Sequence, residues 1–483
     1  MPENLAALLM RRVQERPDLR LGTVDDQVTL DVALRRAAGG AAQLRNLGLA
    51  APDRVALVAS SSTDYLIVWQ ACLLAGIPVA LINPTYPSEL LAQMIEILDP
   101  RLVITDAEDA SFAGSRYVWS LNEVTTWVDG DPDDCPGLSV DPSAIASFMH
   151  TSGTTGVPKF CAQTHMYFLR LGRAMSESLG LTPKDRMLAP LPLFHINPLG
   201  YGIVGALTAG ADALTVRKFS ARGFWPDVRE HAITALALHA PPVEILKRAT
   251  NGADADGHAV RTMFYADREF MTRFGIGQAV SGYGSTEAAG VSHLHQWRLG
   301  DDIPDDASRH GGTPRGDVED RITEEGEIQV RERAPHTLFA GYFGAGRVSV
   351  AVDSEGWFAT GDLGRRTPNG DLVFLERAAE SIRVKGEFVP IPYVEEQFGK
   401  VAQLEDLALW KRPGDLVDDE IVLFVVADEL PMEHLRTVSA TLPAFMRPSW
   451  IAQVASIPRD AAAGKSQRRL LHQQEVTSWT QMS

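Results

Sequence analysis

The chain is poor in cysteine: its 483 residues include three, Cys72, Cys135 and Cys161, far apart and with no Cys-x-x-Cys pair. That spacing supports neither a disulfide framework nor a zinc site, and a reducing cytoplasm is the expected compartment. Positive charge is also scarce, with 45 Lys and Arg against 62 Asp and Glu, a formal net charge of -17 and a pI near 5.2. Neither nucleic acid nor an anionic membrane is an expected partner, because no basic patch would easily offset that field. The N-terminal Met1-Pro2-Glu3-Asn4 has an acid where an export signal would have cations before an apolar core, so export is not expected. A membrane span is not expected either, since the most apolar extended run, 199–216, is broken by glycines and by Asp212. Internal repeats and low-complexity tracts are lacking as well.

What is present describes a globular protein, 45% apolar with a mean hydropathy of -0.07. Its length exceeds what one hydrophobic core usually serves, so two or more domains are expected. Up to about residue 240, apolar β-rich runs alternate with helical patterns: strands near 54–59, 78–82 and 102–105, with helices over 65–75 and 89–97 between them. A second series runs through 187–190, a helix over 200–208, then 213–216 and 234–238. Such alternation predicts βαβ units around largely parallel, doubly covered sheets in two similar subdomains, with a site between their strand ends. From 311 to 374 the texture changes to short strands and tight turns, with Asn369-Gly370 as a hairpin signal, which predicts a small β subdomain. Beyond Arg377 a compact α+β segment is expected, with a strand over 421–426 and a helix over 432–441.

The densest chemistry lies in Thr151-Ser152-Gly153-Thr154-Thr155-Gly156-Val157-Pro158-Lys159. Gly153 and Gly156 let backbone N–H groups approach an anion, the four hydroxyls add donors, and Lys159 adds a point charge, a combination suited to a polyphosphate. It is not a Walker A loop, because no Gly-Lys-Ser/Thr closes the frame. Taken alone, the composition would equally describe a flexible surface turn. Three further segments follow in order: Tyr283-Gly284-Ser285-Thr286-Glu287, then Gly356-Trp357-Phe358-Ala359-Thr360-Gly361-Asp362, then Pro458-Arg459 ahead of Gly464-Lys465.

Together these four segments resemble the adenylate-forming superfamily of acyl- and aryl-CoA synthetases, luciferase-like enzymes and the adenylation domains of peptide synthetases. Leu191-Pro192-Leu193-Phe194-His195, Gly341-Tyr342, and Arg377 with the stretch from Ile382 to Gly386 extend the resemblance over nearly the whole chain. It implies an AMP-binding domain over 1–376 and a mobile C-terminal lid over 377–483 that rotates between two half-reactions. The implied activity is attack of a carboxylate on the α-phosphorus of ATP with loss of pyrophosphate, then formation of a CoA thioester. The implied cofactors are ATP, Mg2+ and CoA. Both reactants of the first step are anionic, so a protein helps by aligning them and neutralising charge.

The resemblance also distributes roles. Residues Thr151 to Lys159 wrap the β- and γ-phosphates, Thr286 donates to the α-phosphate, and Glu287 holds the magnesium ion. Tyr283, with Gly284, stacks on adenine, and Ala266 lines the same pocket. Asp362 accepts from both ribose hydroxyls, Arg377 reaches the ribose from the hinge, and Lys465 bridges the acid and the α-phosphate. His195 shapes and gates the acyl pocket. Cys161 reads as a buried thiol, and His293 and His295 show no metal spacing and are given no role.

Two departures shape the substrate expectation. Where the family has a small Gly-Gly-Ala-like turn, this chain has Tyr265-Ala266-Asp267, bulk and a negative charge that suit a compact aryl or polar acid better than a fatty one. At the hinge the usual glycine is Glu376 and the usual acid is Ala379, with Glu380 next. Alternatives keep the adenylate chemistry but pass the acyl group to a carrier-protein thiol, or activate nitrite to diazotise an aromatic amine. A degenerate nucleotide sensor is the non-enzymatic alternative, and retention of Lys159, Glu287, Asp362, Arg377 and Lys465 argues against it.

Overall fold

The computed structural model describes residues 3–151, 157–377, 382–384, 387–414, 419–459 and 466–482. Two compact units separate: one comprises Met1–Pro84, Leu91–His150 and Phe160–Glu376, the other Thr85–Leu90, Thr151–Lys159 and Arg377–Ser483.

The larger unit is built on two sheets. In the thirteen-stranded sheet Arg20–Thr23, Asp212–Thr215, Arg186–Ala189, Ala235–Ala237, Thr262–Phe264 and Gln278–Tyr283 lie side by side in that order, all parallel. In the eight-stranded sheet Val55–Val58, Val79–Ile82, Leu102–Thr105, Tyr117–Ser120 and Ile145–Thr151 are parallel. The first three of these are buried at every residue, as strands covered on both faces must be. The adjacent helix Thr63–Ala75 is buried at every position except Asp64, which suits an element apolar all round. Ser62 caps its start, its hydroxyl accepting from the Tyr65 N–H at 3.0 Å, and Gly76 ends it in a left-handed conformation at φ 71°.

The two subdomains of alternating strands and helices are present. The antiparallel region after Gly311 is continuous with them. His310–Pro314, Val318–Ile322, Glu327–Glu332, Phe358–Arg366 and Leu372–Arg377 extend the open edge of the thirteen-stranded sheet. Gly341–Gly344 instead pairs onto Lys159–Thr164 in the other sheet, and Arg347–Ser349 pairs onto Gly341–Gly344. An unpaired edge accepts antiparallel strands through short turns, so the small β subdomain grows from it. The Asn369-Gly370 turn joins two such strands, with Gly370 at φ 88° and its N–H donating to the Thr367 carbonyl at 2.9 Å.

The helix expected over 200–208 is a π-helix, Asn197–Val204, followed by a short α-helix, Gly205–Ala209. Among the described residues no helix is long and apolar enough to cross a membrane. All three cysteines are buried, and burial pushes the Cys72 thiol up to about 12.

The smaller unit carries a four-stranded sheet, Asp406–Pro413, Asp419–Val426, Trp450–Val454 and Val476–Gln481, with helices Ile391–Gly399 and Met432–Thr441. Glu395 of the first helix receives Arg468 at 2.7 Å, and the Trp410 indole donates to His472 Nε2 at 2.9 Å.

Candidate active site

The strand Gln278–Tyr283 delivers Tyr283 to a turn that only glycine can begin. A Cβ on Gly284 would lie 2.3 Å from the Gly290 carbonyl oxygen and 2.6 Å from the Val291 Cα, both backbone atoms. Within the turn Ser285 Oγ accepts from the Ala288 N–H at 3.1 Å, and the Ser285 carbonyl accepts from the Gly290 N–H at 2.9 Å. Side chains from other elements hold its carbonyls: the Tyr167 hydroxyl donates to that of Thr286 at 2.9 Å, and the Tyr201 hydroxyl to that of Gly290 at 2.8 Å. Buried Arg315 donates to the carbonyls of Ala289 at 3.0 Å and Val291 at 2.7 Å, and is paired with Asp317 at 2.7 Å. The turn is therefore pinned at several points, while the Thr286 and Glu287 residues themselves stay partly exposed. The Tyr342 hydroxyl donates to Glu287 Oε1 at 3.2 Å, which helps to aim this carboxylate.

Tyr283 and Asp362 come together although 79 positions separate them, the Tyr283 hydroxyl donating to Asp362 Oδ2 at 2.8 Å in a buried setting. Phe374 lies nearly parallel to the Tyr283 ring, centroids 6.0 Å apart with 21° between planes. Asp362 sits in the strand Phe358–Arg366, just after Gly361, which adopts φ 70° and donates its N–H to Glu327 at 3.0 Å.

Behind Tyr283 lies a second buried polar set. Fully buried His293 has Nδ1 2.9 Å from Ser292 Oγ and Nε2 3.0 Å from Asp320 Oδ2, and Arg366 pairs with the same carboxylate. The Ser292 hydroxyl reaches the Tyr283 carbonyl at 3.1 Å. The His293 side chain, to which no role was given on sequence grounds, thus helps seat Tyr283.

The His195 ring lies edge-on to Phe194, centroids 4.7 Å apart, and 6.3 Å from that of His150. Buried His150 accepts the Asn83 N–H at its Nε2, 3.3 Å away. The π-helix after His195 places Tyr201 edge-on against Phe264 at 4.8 Å, so one residue touches both this region and the turn after Glu287.

Ala266 is buried between Tyr265, at φ 91°, and Asp267. Burial is the main reason the Tyr265 phenol is pushed up to about 12, with nearby Asp267 adding to it and a hydrogen bond with Ser308 opposing. Asp267 does not stand as an open negative charge. Its Oδ1 caps the helix Arg268–Phe274, accepting from the Phe270 N–H at 2.7 Å, and Lys247 lies 3.0 Å from its Oδ2. Lys247 is also shared with Glu244 at 2.5 Å and Glu269 at 3.3 Å. The wall's distinctive group is thus Tyr265, with the acid engaged by the helix start and by Lys247.

Of the other residues singled out by sequence, Thr151 ends the strand Ile145–Thr151 and Lys159 opens Lys159–Thr164. Ser152, Gly153, Thr154, Thr155, Gly156 and Lys465 lie outside the described residues, as does the side chain of Arg377. Sequence reasoning missed His150, Tyr167, Tyr201, His293 and Arg315. Only His150, directly before the hydroxyl-rich segment, carried a local signal.

A model described as AMP-binding enzyme matches residues 9–343. The chain belongs to this family. Among similar AMP-binding enzymes, crotonobetaine/carnitine–CoA ligase of Escherichia coli is 26% identical, over 88% of this chain and 89% of its own length. Sulfoacetate–CoA ligase of Cupriavidus necator is 30% identical over 68% of this chain and 66% of its own. The fold is also that of o-succinylbenzoate CoA synthetase from Bacillus subtilis, solved with a product analogue, at a TM-score of 0.84 and 21% identity over 97% and 98% of the two chains. This AMP-binding enzyme is an ATP-dependent adenylate-forming ligase of the acid–thiol type.

Proposed function

We propose that the protein converts a small aryl or polar carboxylic acid into its acyl-adenylate at the site around Tyr283, Glu287 and Asp362, and then into its CoA thioester. In the first step a carboxylate oxygen bonds to the α-phosphorus of ATP as the bond to pyrophosphate breaks. In the second, the thiol sulfur takes the acyl carbon and AMP leaves. The observation that carries this reading is the buried Tyr283–Asp362 pair, 2.8 Å apart, next to the pinned turn of Thr286 and Glu287.

Asp362 is suited to accept from the two ribose hydroxyls, since an ionised carboxylate forms strong, orienting hydrogen bonds. Tyr283, steadied through its hydroxyl and by Phe374, is assigned to adenine together with Gly284 and Ala266. Thr286 is assigned to the α-phosphate, Thr151 to Lys159 to the β- and γ-phosphates, and Arg377 to the ribose. Glu287 fits a magnesium ion: it is a hard oxygen donor, partly exposed, and one of its oxygens accepts from the neutral Tyr342 hydroxyl. Bound there, Mg2+ would neutralise phosphate charge during displacement.

Lys465 is assigned to bridge the acid and the α-phosphate, and His195 with His150 to the acid's pocket. Residues 1–376 would form the adenylating domain and 377–483 a lid that changes pose between the half-reactions, in a cytoplasmic enzyme. The two ligases above are named for small polar acids, which agrees with a wall carrying Tyr265.

The test is pyrophosphate release with panels of aryl, polar and fatty acids, with and without CoA, and with nitrite plus an aminobenzoate. Lys465→Ala is expected to lose adenylate formation while keeping ATP binding. Equal turnover in variant and parent would refute the role of Lys465. A carrier-protein requirement in place of CoA, or turnover only with nitrite, would replace the thioester step.

A further inference from the structure

A cleft of about 690 Å3 opens in the larger unit, away from the residues assigned to ATP and the acid, between the first helix, Leu5–Glu15, the helix His165–Ser178 and the segment around Arg315. Four arginines line it, Arg11, Arg170, Arg173 and, almost wholly buried, Arg315. In a chain with a net charge of -17 this is a local reversal of sign. The carboxylates in the same wall are Glu3, Glu177 and Asp317, one fewer than the arginines.

The arginines are unequally engaged. Arg11 is paired with Glu3 at 2.7 Å and Arg315 with Asp317 at 2.7 Å. Arg170 reaches the Pro335 carbonyl at 3.2 Å, but its nearest carboxylate oxygen, on Asp317, is 4.0 Å away. Exposed Arg173 has no ion pair among the described residues. Arg170 and Arg173 lie three positions apart on one helix, so their side chains are neighbours. Planar guanidinium forks match carboxylates in pairs of hydrogen bonds. Leu169 and Leu294, both partly exposed, add apolar surface on which a short carbon skeleton can lie.

We propose that this cleft binds a small organic polyanion of the di- or tricarboxylate class, and that its occupancy is transmitted to the Glu287 turn through Arg315. The transmission is geometric. Arg315, a residue of the cleft wall, also holds the carbonyls of Ala289 and Val291 through its guanidinium, and Asp317 shares itself between Arg315 and, more distantly, Arg170. An anion drawn to Arg170 and Arg173 alters the field around Asp317 and so the grip of Arg315 on that turn. By linkage, any change in the turn's affinity for its own ligand is returned on the anion's affinity.

The probe is tricarballylate, titrated calorimetrically into the intact protein at constant ionic strength without magnesium, with propionate as the monoanion control. Saturable binding of tricarballylate is expected. The double variant Arg170→Gln with Arg173→Ala should weaken it by at least about tenfold, as loss of charge-assisted hydrogen bonds does, while ATP binding persists. Hydrogen exchange over 285–291 should change on adding tricarballylate in the parent and not in the variant. Binding that is absent, equal in the variant, or abolished by ATP in parent and variant alike overturns the site. Inorganic phosphate binding as tightly as tricarballylate overturns the ligand class, and binding without a change over 285–291 overturns the transmission.

Discussion

Two neighbouring parallel strands, Thr262–Phe264 and Gln278–Tyr283, lead into turns built on opposite principles. The second starts with Gly284, where no side chain fits, and pins its carbonyls with Tyr167, Tyr201 and Arg315. The first puts Tyr265 at φ 91°, a region that suits glycine, and then engages Asp267 in a helix cap and with Lys247. One turn has a fixed geometry, which the displacement proposed at Thr286 and Glu287 would use. The other spends backbone comfort on a bulky side chain, as expected where a particular substrate is met.

The sharpest way to break this comparison is Gly284→Ala. The added methyl meets only backbone, so the turn must shift, and a loss of about 3 kcal/mol of stability together with nucleotide binding is expected. Thermal melting and ATP titration would read it. A variant that keeps both would show that the turn is less rigid than its contacts indicate.

The pinned turn should also have an acid limit, set from behind. His165 begins the helix that carries Tyr167 and is buried, its Nδ1 accepting the Leu5 N–H at 3.4 Å. Burial lowers it from 6.5 to about 4. The unfolded chain therefore takes the proton first, so the contribution is complete above pH 6.5 and is lost as pH falls from 6.5 towards 4. The span corresponds to roughly 3 kcal/mol. Denaturant unfolding should show this decline, and His165→Asn should flatten it. An unchanged slope in the variant would assign the decline to other groups.

Asp362→Ala comes next, with nucleotide affinity expected to fall by roughly 1.5–3 kcal/mol, the range for hydrogen bonds to a charged group. Asp362→Asn keeps an acceptor for the Tyr283 hydroxyl and should lie between parent and alanine variant. An unchanged ATP dissociation constant in the alanine variant would remove Asp362 from the ribose.

The same contrast explains what was legible in the sequence. The alternation of strands and helices up to residue 240 announced parallel, covered sheets, because each element's burial is written in its own residues. Tyr283 to Glu287 and Gly356 to Asp362 were legible as motifs, since such turns depend on their own glycines. The antiparallel extension of both sheets was not, because which open edge a short strand joins depends on the assembled sheet. Arg315, Tyr167 and His293 were not legible either: each acts on the turn or on Tyr283 from another element, and an isolated Arg, Tyr or His carries no mark of that. Asp267 looked like an open charge because its partner Lys247 is twenty positions away.

The smallest expected effect tests the other turn most directly. Tyr265→Gly and Tyr265→Ala both remove the ring and its contacts, so their difference isolates the backbone. Glycine accepts φ 91° freely, whereas alanine retains the Cβ that makes the conformation unfavourable. The glycine variant should be the more stable by about 1 kcal/mol, measured by denaturant unfolding, the reverse of the usual order in regular structure. Both variants should admit bulkier acids in the pyrophosphate assay if the ring bounds the pocket. If alanine is the more stable, the left-handed backbone at Tyr265 is not held in solution, and the contrast between the two turns loses its first member.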